Sequence, residues 1–139
     1  MLTEATSARM RQLLRLVVLL GTGRKGDAPG YRVGGKTGTG EIAGAGGYSR
    51  SKNVSTFAAA FPMDAPRYVV VAMLDSPNGT AETFGLTTAA WNAAPVVGRV
   101  ISRTGAMLGV TPDTSRDIDV SQLLPLVWTG DKKPAATAE

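Results

Sequence analysis

Two strand-like runs separated by only three residues constrain this chain more than any other feature. Val54–Met63 and Arg67–Leu74 both read as extended segments, and Asp64-Ala-Pro66 is the tight turn between them. A parallel crossover needs a dozen or more residues, so a link this short forces antiparallel pairing. Arg67–Leu74 is almost continuously apolar, a pattern that asks for cover on both faces. Upstream, Tyr31–Glu41 can also be extended. Residues 44–53 (Gly-Ala-Gly-Gly-Tyr-Ser-Arg-Ser-Lys-Asn) read as the turn that joins it to the next strand. Together these segments predict a three-stranded antiparallel meander.

Two helices are expected to flank it, which makes the fold class α+β. In residues 3–18, Met10, Leu13, Leu14 and Val17 recur at i, i+3, i+4 and i+7, with arginines opposite. Thr3 suits the N-cap, Glu4 the positive end of the helix dipole, and Gly21 and Gly23 the stop. Arg9, Arg11 and Arg15 read as a solvated basic face. A second long helix is expected over roughly 89–108, capped by Thr88, with Trp91, Ala94, Val97, Ile101 and Leu108 on its apolar face. Pro95 falls where it kinks that helix or resets its start. Asp75–Thr87 is a loop. From Thr111 the chain turns acidic, and 113–139 is expected to be a mostly flexible tail.

The 139 residues contain no cysteine and no histidine. That excludes disulfides, thiolate metal sites, cysteine nucleophiles, serine–histidine triads and ordinary zinc sites. No metal and no cofactor is expected. The net charge of +4 is uneven: residues 1–53 hold 9 basic and 3 acidic side chains. A basic first third favours an anionic partner, whether carboxylate, phosphate or nucleic acid. No aromatic residues interleave with the basic cluster, which argues against nucleic acid. No segment approaches the roughly 20 apolar residues of a membrane span, and the N-terminus lacks a signal-peptide layout. Neither a membrane segment nor a targeting signal is expected in this chain.

Residues 21–47 carry 11 of the 17 glycines and three overlapping pattern matches. Gly21-Thr-Gly-Arg-Lys-Gly26 fits G-x-G-x-x-G, but an apolar helix end precedes it and Asp27-Ala-Pro-Gly30 cannot open a helix after it, so the match is read as chance. Gly30-Tyr-Arg-Val-Gly-Gly-Lys36-Thr37 fits the phosphate-loop pattern, and Tyr68–Asp75 imitates the strand that would carry a metal-binding aspartate. Such a loop must lead into a helix N-terminus, and the glycines from Gly38 to Gly47 are a poor helix start. A small nucleotide-binding protein using Gly30–Thr37 is the rival reading. The third match, Lys36-Thr37-Gly38-Thr39, suits an edge strand. Period 2 puts Lys36 and Gly38 on one face and Thr37 and Thr39 on the other. Gly38 then lets a ligand lie close to the backbone, Lys36 supplies charge, and the threonine hydroxyls can bond a carboxylate.

The chain resembles the C-terminal part of a penicillin-binding protein transpeptidase domain of the class B, cell-division type. The resemblance rests on Thr6–Val18 with Gly21-Thr-Gly23, Gly30-Tyr-Arg-Val-Gly-Gly-Lys-Thr-Gly-Thr39, Ser55-Thr-Phe-Ala-Ala-Ala-Phe-Pro62, Tyr68–Asp75 and Thr88-Ala-Ala-Trp-Asn-Ala-Ala-Pro95. It covers roughly residues 2–112 in the family's order, so that 1–112 is expected to be the C-terminal portion of such a domain. It implies part of a serine β-lactamase/transpeptidase-like fold, with Lys-Thr-Gly on a strand that borders the cleft. It also implies substrate-binding roles for Lys36, Thr37, Gly38 and Thr39, with the backbone N–H of Thr39 as one of two oxyanion donors. The family's Ser-x-x-Lys nucleophile motif and Ser-x-Asn motif belong well before Lys-Thr-Gly. Here Ser49-Arg-Ser-Lys52 and Ser51-Lys-Asn53 match them only after it, overlapping, in the expected hairpin tip.

No catalytic residue is therefore assigned. The parent domain would be a serine acyl transferase, a D,D-transpeptidase of cell-wall cross-linking, and the isolated chain is expected to be inactive. The implied ligands are a peptidoglycan stem peptide or a β-lactam. The implied compartment is the periplasm. A third reading is a partner-completing module, in which the edge at 67–74 pairs with the N-terminal half of such a domain or with a second copy.

Overall fold

The computed structural model describes residues 2–44 and 47–127. In chain order its elements are α1 (Glu4–Leu19), β1 (Gly34–Gly44), β2 (Gly47–Phe61), β3 (Tyr68–Asp75) and α2 (Ala93–Thr104), with short 3-10 turns at Arg24–Gly26 and Ser121–Leu126. The three strands form one antiparallel sheet in the order β1-β2-β3, the expected meander. Ladder partners place Thr37 opposite Phe57 and Phe57 opposite Ala72, so the central strand carries the centre of the core.

The strand boundaries correct the sequence reading in two places. Tyr31–Val33 is not part of β1. Gly30 and Arg32 both have positive φ there, and buried Arg32 holds its bend by bonding the Asp64 carboxylate at 2.7 Å and the Gly30 carbonyl at 2.7 Å. Residues 47–53 are strand rather than turn. The register steps between Glu41↔Asn53 and Ala43↔Tyr48, so Ser49–Lys52 bulges out opposite Ile42 alone. Of the expected turn, Ala45 and Gly46 lie outside the described residues.

Helix α1 starts where Thr3 predicts: its hydroxyl accepts from the Thr6 N–H at 3.2 Å. Its buried face is not the one that periodicity selects. Arg15 and Val18 are buried, whereas Met10 and Leu13 are exposed. Arg15 is thus not on a solvated face. It donates to Asp27 at 2.9 Å, to Asp117 at 2.6 Å and to the Val33 carbonyl at 2.8 Å. A guanidinium can be buried only with such partners, and no helical periodicity reveals partners on distant segments. Helix α2 begins at Ala93, later than expected, with Asn92 as N-cap. Pro95 thereby falls in the first turn, where its missing N–H has no helical acceptor to lose. Ala93, Ala94, Val97, Gly98 and Ile101 face the core; Leu108 is exposed.

Phe57, Phe61, Val33, Val18, Val97 and Ile101 form the core between the sheet and α2. Tyr68, Val70, Ala72 and Leu74 of β3 pack against it. The alternate residues Val69, Val71 and Met73 are 72%, 59% and 70% exposed. The apolar strand is therefore covered on one face, not two. The expected flexible tail divides: up to Val127 it is described and folds back against α1, Gly30 and Asp64. The Asp113 N–H donates to the Gly30 carbonyl, Arg116 pairs with Asp64 at 2.6 Å, and Gln12 donates to the Asp119 carbonyl. The rest of 113–139 lies outside the described residues.

Glycine-for-packing is testable at Gly26, where a Cβ would fall 2.4 Å from the Phe57 ring. Gly26→Ala is expected to lower unfolding stability by about 1–3 kcal/mol in urea titrations, whereas Gly40→Ala, which meets nothing within 4 Å, stays within about 0.5 kcal/mol.

A second test concerns Asp64. Burial alone would raise its carboxyl, but the hydrogen bond and charge of Arg32, its own backbone and the charge of Arg116 outweigh burial and hold it below its ordinary value. A carboxyl held low when folded stabilises the fold above its unfolded pKa, and that contribution is lost as pH falls through the folded value. Urea midpoints should therefore decline from about pH 5 toward pH 2, and the decline should be shallower in Asp64→Asn. Parallel curves for the two proteins would remove Asp64 from the account.

Candidate functional site

β1 is one of the two outer strands of the sheet, and Lys36–Thr39 lies in its regularly paired part. All four sequence-predicted site residues thus share one open edge. Their side chains divide as period 2 requires. Lys36 and Gly38 sit in rows with Ala58–Val71 and Thr56–Met73, on the exposed face of the sheet; Thr37 and Thr39 sit in rows with Phe57–Ala72 and Ser55–Leu74, on the core side.

Lys36 is exposed, and its Nζ donates to the Thr37 carbonyl at 2.7 Å. Gly38 has space around it. A Cβ there would meet only the Thr56 carbonyl, at 3.9 Å. This distinguishes it from Gly34 and Gly35 on the same strand, where a Cβ would collide with Met63 or with Phe57 and the Ala58 carbonyl. Packing within the described residues explains the earlier two glycines and leaves Gly38 unexplained.

Both threonines have partners that sequence reasoning did not find. Thr37 Oγ1 lies 2.8 Å from Thr22 Oγ1. Thr39 Oγ1 accepts from the Ala89 N–H at 3.2 Å, which leaves the hydroxyl proton of Thr39 available to another acceptor. Ala89 is held by a short polar network. Buried Ser55 donates to the Thr87 carbonyl at 2.6 Å, and Asn92 donates to the same carbonyl at 2.9 Å while capping α2 through the Ala93 N–H. The signal for Thr22 was present in Gly21-Thr-Gly23; the helix-stop reading absorbed it.

Between these flanking segments lies a shallow concavity of about 410 Å³, lined by Leu20, Gly21, Thr22, Arg24, Lys25, Ala90 and Trp91. The Lys25 ammonium stands 4.2 Å from the centre of the Trp91 ring. Cations, hydroxyls and an unpaired strand edge suit an anion at the end of an extended peptide. They do not supply a nucleophile. Ser49–Lys52 and Ser51–Asn53 run along β2, so no helical turn brings serine and lysine together; the side chains of Ser49 and Ser51 lie outside the described residues. Asn53 donates to Thr87 Oγ1 at 2.8 Å. The phosphate-loop alternative also fails on geometry, because Lys36 and Thr37 are in mid-strand and Gly38–Gly44 continues that strand instead of opening a helix.

Comparison with known proteins points to one family. The profile of the penicillin binding protein transpeptidase domain matches residues 2–98. A Caulobacter vibrioides protein named "Probable peptidoglycan D,D-transpeptidase FtsI" is 47% identical over 122 residues, covering 81% of this chain and 21% of its own length. Stage V sporulation protein D of Bacillus subtilis is 40% identical over 111 residues, covering 80% and 16%. The chain therefore spans about a fifth or less of these curated relatives. Among solved structures, the transpeptidase domain of Burkholderia pseudomallei penicillin-binding protein 3 superposes with a TM-score of 0.67 at 34% identity, covering 78% of this chain and 32% of that one. Penicillin-binding protein 3 of Mycobacterium tuberculosis, complexed with ampicillin, gives 0.65 at 30% identity, covering 81% and 26%.

The network behind Thr39 generates its own test. Ser55→Ala removes a buried donor to the Thr87 carbonyl, and the expected loss is about 1–3 kcal/mol. Amide exchange at Ala89 should accelerate more than exchange in β3. Uniform acceleration across the sheet would show that Ser55 supports the core and not this loop.

Proposed function

Since the chain belongs to the penicillin-binding protein transpeptidase family, we propose that it builds the substrate-binding wall of a peptidoglycan D,D-transpeptidase site. The observation that carries this reading is Lys36-Thr37-Gly38-Thr39 on an outer strand, with open space at Gly38. An acyl-donor peptide lies antiparallel along β1. Thr37 and Thr39 hold its carboxylate and amide, and Lys36 supplies positive charge beside them. Within one strand residue N–H and C=O point the same way, and alternate residues share that direction. The Lys36–Thr37 carbonyl contact therefore supports an outward N–H at Thr37 and again at Thr39. The Thr39 N–H then donates to the oxyanion that develops as a serine attacks the scissile carbonyl.

That serine is supplied by the part of the domain that precedes this segment in the family. Its oxygen forms an ester with the donor acyl group and expels the leaving amine; a β-lactam enters the same step by ring opening. The M. tuberculosis relative bound to ampicillin supports β-lactam recognition by the wall described here. The reaction belongs outside the cytoplasmic membrane, in the periplasm of a two-membrane cell, where cross-linking substrate is found. Among the described residues no helix is long and apolar enough to cross a membrane. The exposed row Val69, Val71 and Met73 supports a further partner: the remainder of the transpeptidase domain, or a second copy, against β3.

Two measurements test this. The isolated chain should take no covalent label from a fluorescent penicillin. Grafted in place of the corresponding segment of the C. vibrioides relative, it should support labelling, and Lys36→Ala in that chimera should slow acylation by about 10²-fold or more. Stable labelling of the isolated chain, or a folded chimera indifferent to Lys36→Ala, would refute the assignment.

A further inference from the structure

We propose that Thr22 is a positioning residue for the ligand carboxylate, acting through Thr37; the inference rests on the substrate-binding reading of β1. Thr22 sits between two glycines that the geometry demands. A Cβ at Gly21 would lie 2.8 Å from the Val17 carbonyl, and one at Gly23 would lie 3.2 to 3.3 Å from that carbonyl, from Val18 and from Phe57. The N–H groups of both glycines donate to the Val17 carbonyl, at 3.0 and 3.1 Å. This doubled bond at the end of α1 clamps the turn and thrusts Thr22 toward β1. Its hydroxyl meets that of Thr37 at 2.8 Å, across fifteen positions of sequence.

Two hydroxyls at that distance share one proton, and the other proton remains free. If Thr22 donates, Thr37 keeps its proton for an incoming carboxylate. A threonine hydroxyl alone in water rotates among several directions, whereas one fixed by a neighbour is already aimed, and that lowers the ordering cost of binding. The surroundings select an anion. Arg24 and Lys25 line the adjoining concavity, and among the described residues no carboxylate lines it. The Gly-Thr-Gly motif thus does two jobs: its glycines close α1 on the Val17 carbonyl, with Gly23 also packed on Phe57, and its threonine sets the proton direction at the substrate strand. The ligand class is a peptide with a free terminal carboxylate.

The experiment is an amide NMR titration of the full chain with N-acetyl-D-alanyl-D-alanine, using its C-terminal carboxamide as control. The wild type should show saturable shifts at residues 22, 37 and 39 with the acid and weak or no shifts with the carboxamide. Thr22→Val should weaken acid binding by about tenfold without moving the carboxamide result, and Thr22→Ser should stay within about threefold of wild type. If Thr22→Val binds like wild type while Lys36→Ala does not bind, the role of Thr22 is refuted and the strand reading stands. If Thr22→Val and Thr22→Ser lose binding equally, the hydroxyl is not responsible and the proposal falls. Absence of saturable binding by the wild type would overturn the proposal for Thr22, and labelling of the chimera then decides the strand reading separately.

Discussion

The ring of Phe57 holds this fold together. It stands on the middle strand, opposite Thr37 on one side and Ala72 on the other, and it is wholly buried. Its atoms occupy the places where side chains of Gly26 and Gly35 would be, and press closely on Gly23. One aromatic side chain therefore joins the end of α1, the 3-10 turn after it and the start of β1. A ring packed against bare backbone has contacts on all sides at close range, and the interior tolerates no added methyl there. Gly98 of α2 completes the arrangement, because its own missing Cβ lets the helix touch the backbone of Lys25–Asp27.

This packing places the substrate strand. Fixing the turn after α1 against Phe57 also fixes Thr22 beside Thr37. On the other flank, the Ser55–Thr87–Asn92 network sets Ala89 against Thr39. The two threonines of β1 are thus oriented from two directions by elements that come before and after it in the chain. Buried Arg15 adds a third restraint. Its bond to the Val33 carbonyl ties α1 to the residue directly ahead of β1, and its pairing with Asp27 and Asp117 gathers three segments around one charge.

The surfaces that stay open are as informative as the core. β3 buries one side of its apolar run and exposes Val69, Val71 and Met73, and Leu13 of α1 and Leu20 just past its end are exposed as well. In the solved relatives the matched segment is about a third of the chain or less. An apolar run that asks for cover on two faces, and has it on one, agrees with a segment whose relatives are larger than itself.

The meander, both helices, the Thr3 cap and the placement of Lys36–Thr39 on an outer strand were all legible in the sequence. They follow from short links, local periodicity and cap chemistry, which act over a few residues. The family motif was legible for the same reason, as contiguous residues on one strand. What needed the tertiary structure is long-range. Periodicity turned α1 the wrong way because Arg15 is buried by charges on distant segments. Residues 47–53 looked like a turn because glycine and serine carry no strand preference, yet pairing of Gly47, Tyr48 and Asn53 with β1 holds the stretch extended around the bulge. In the GxGxxG match, the Val17 carbonyl accounts for Gly21, and Phe57 and Thr37, brought close by folding, account for Gly23, Gly26 and Thr22.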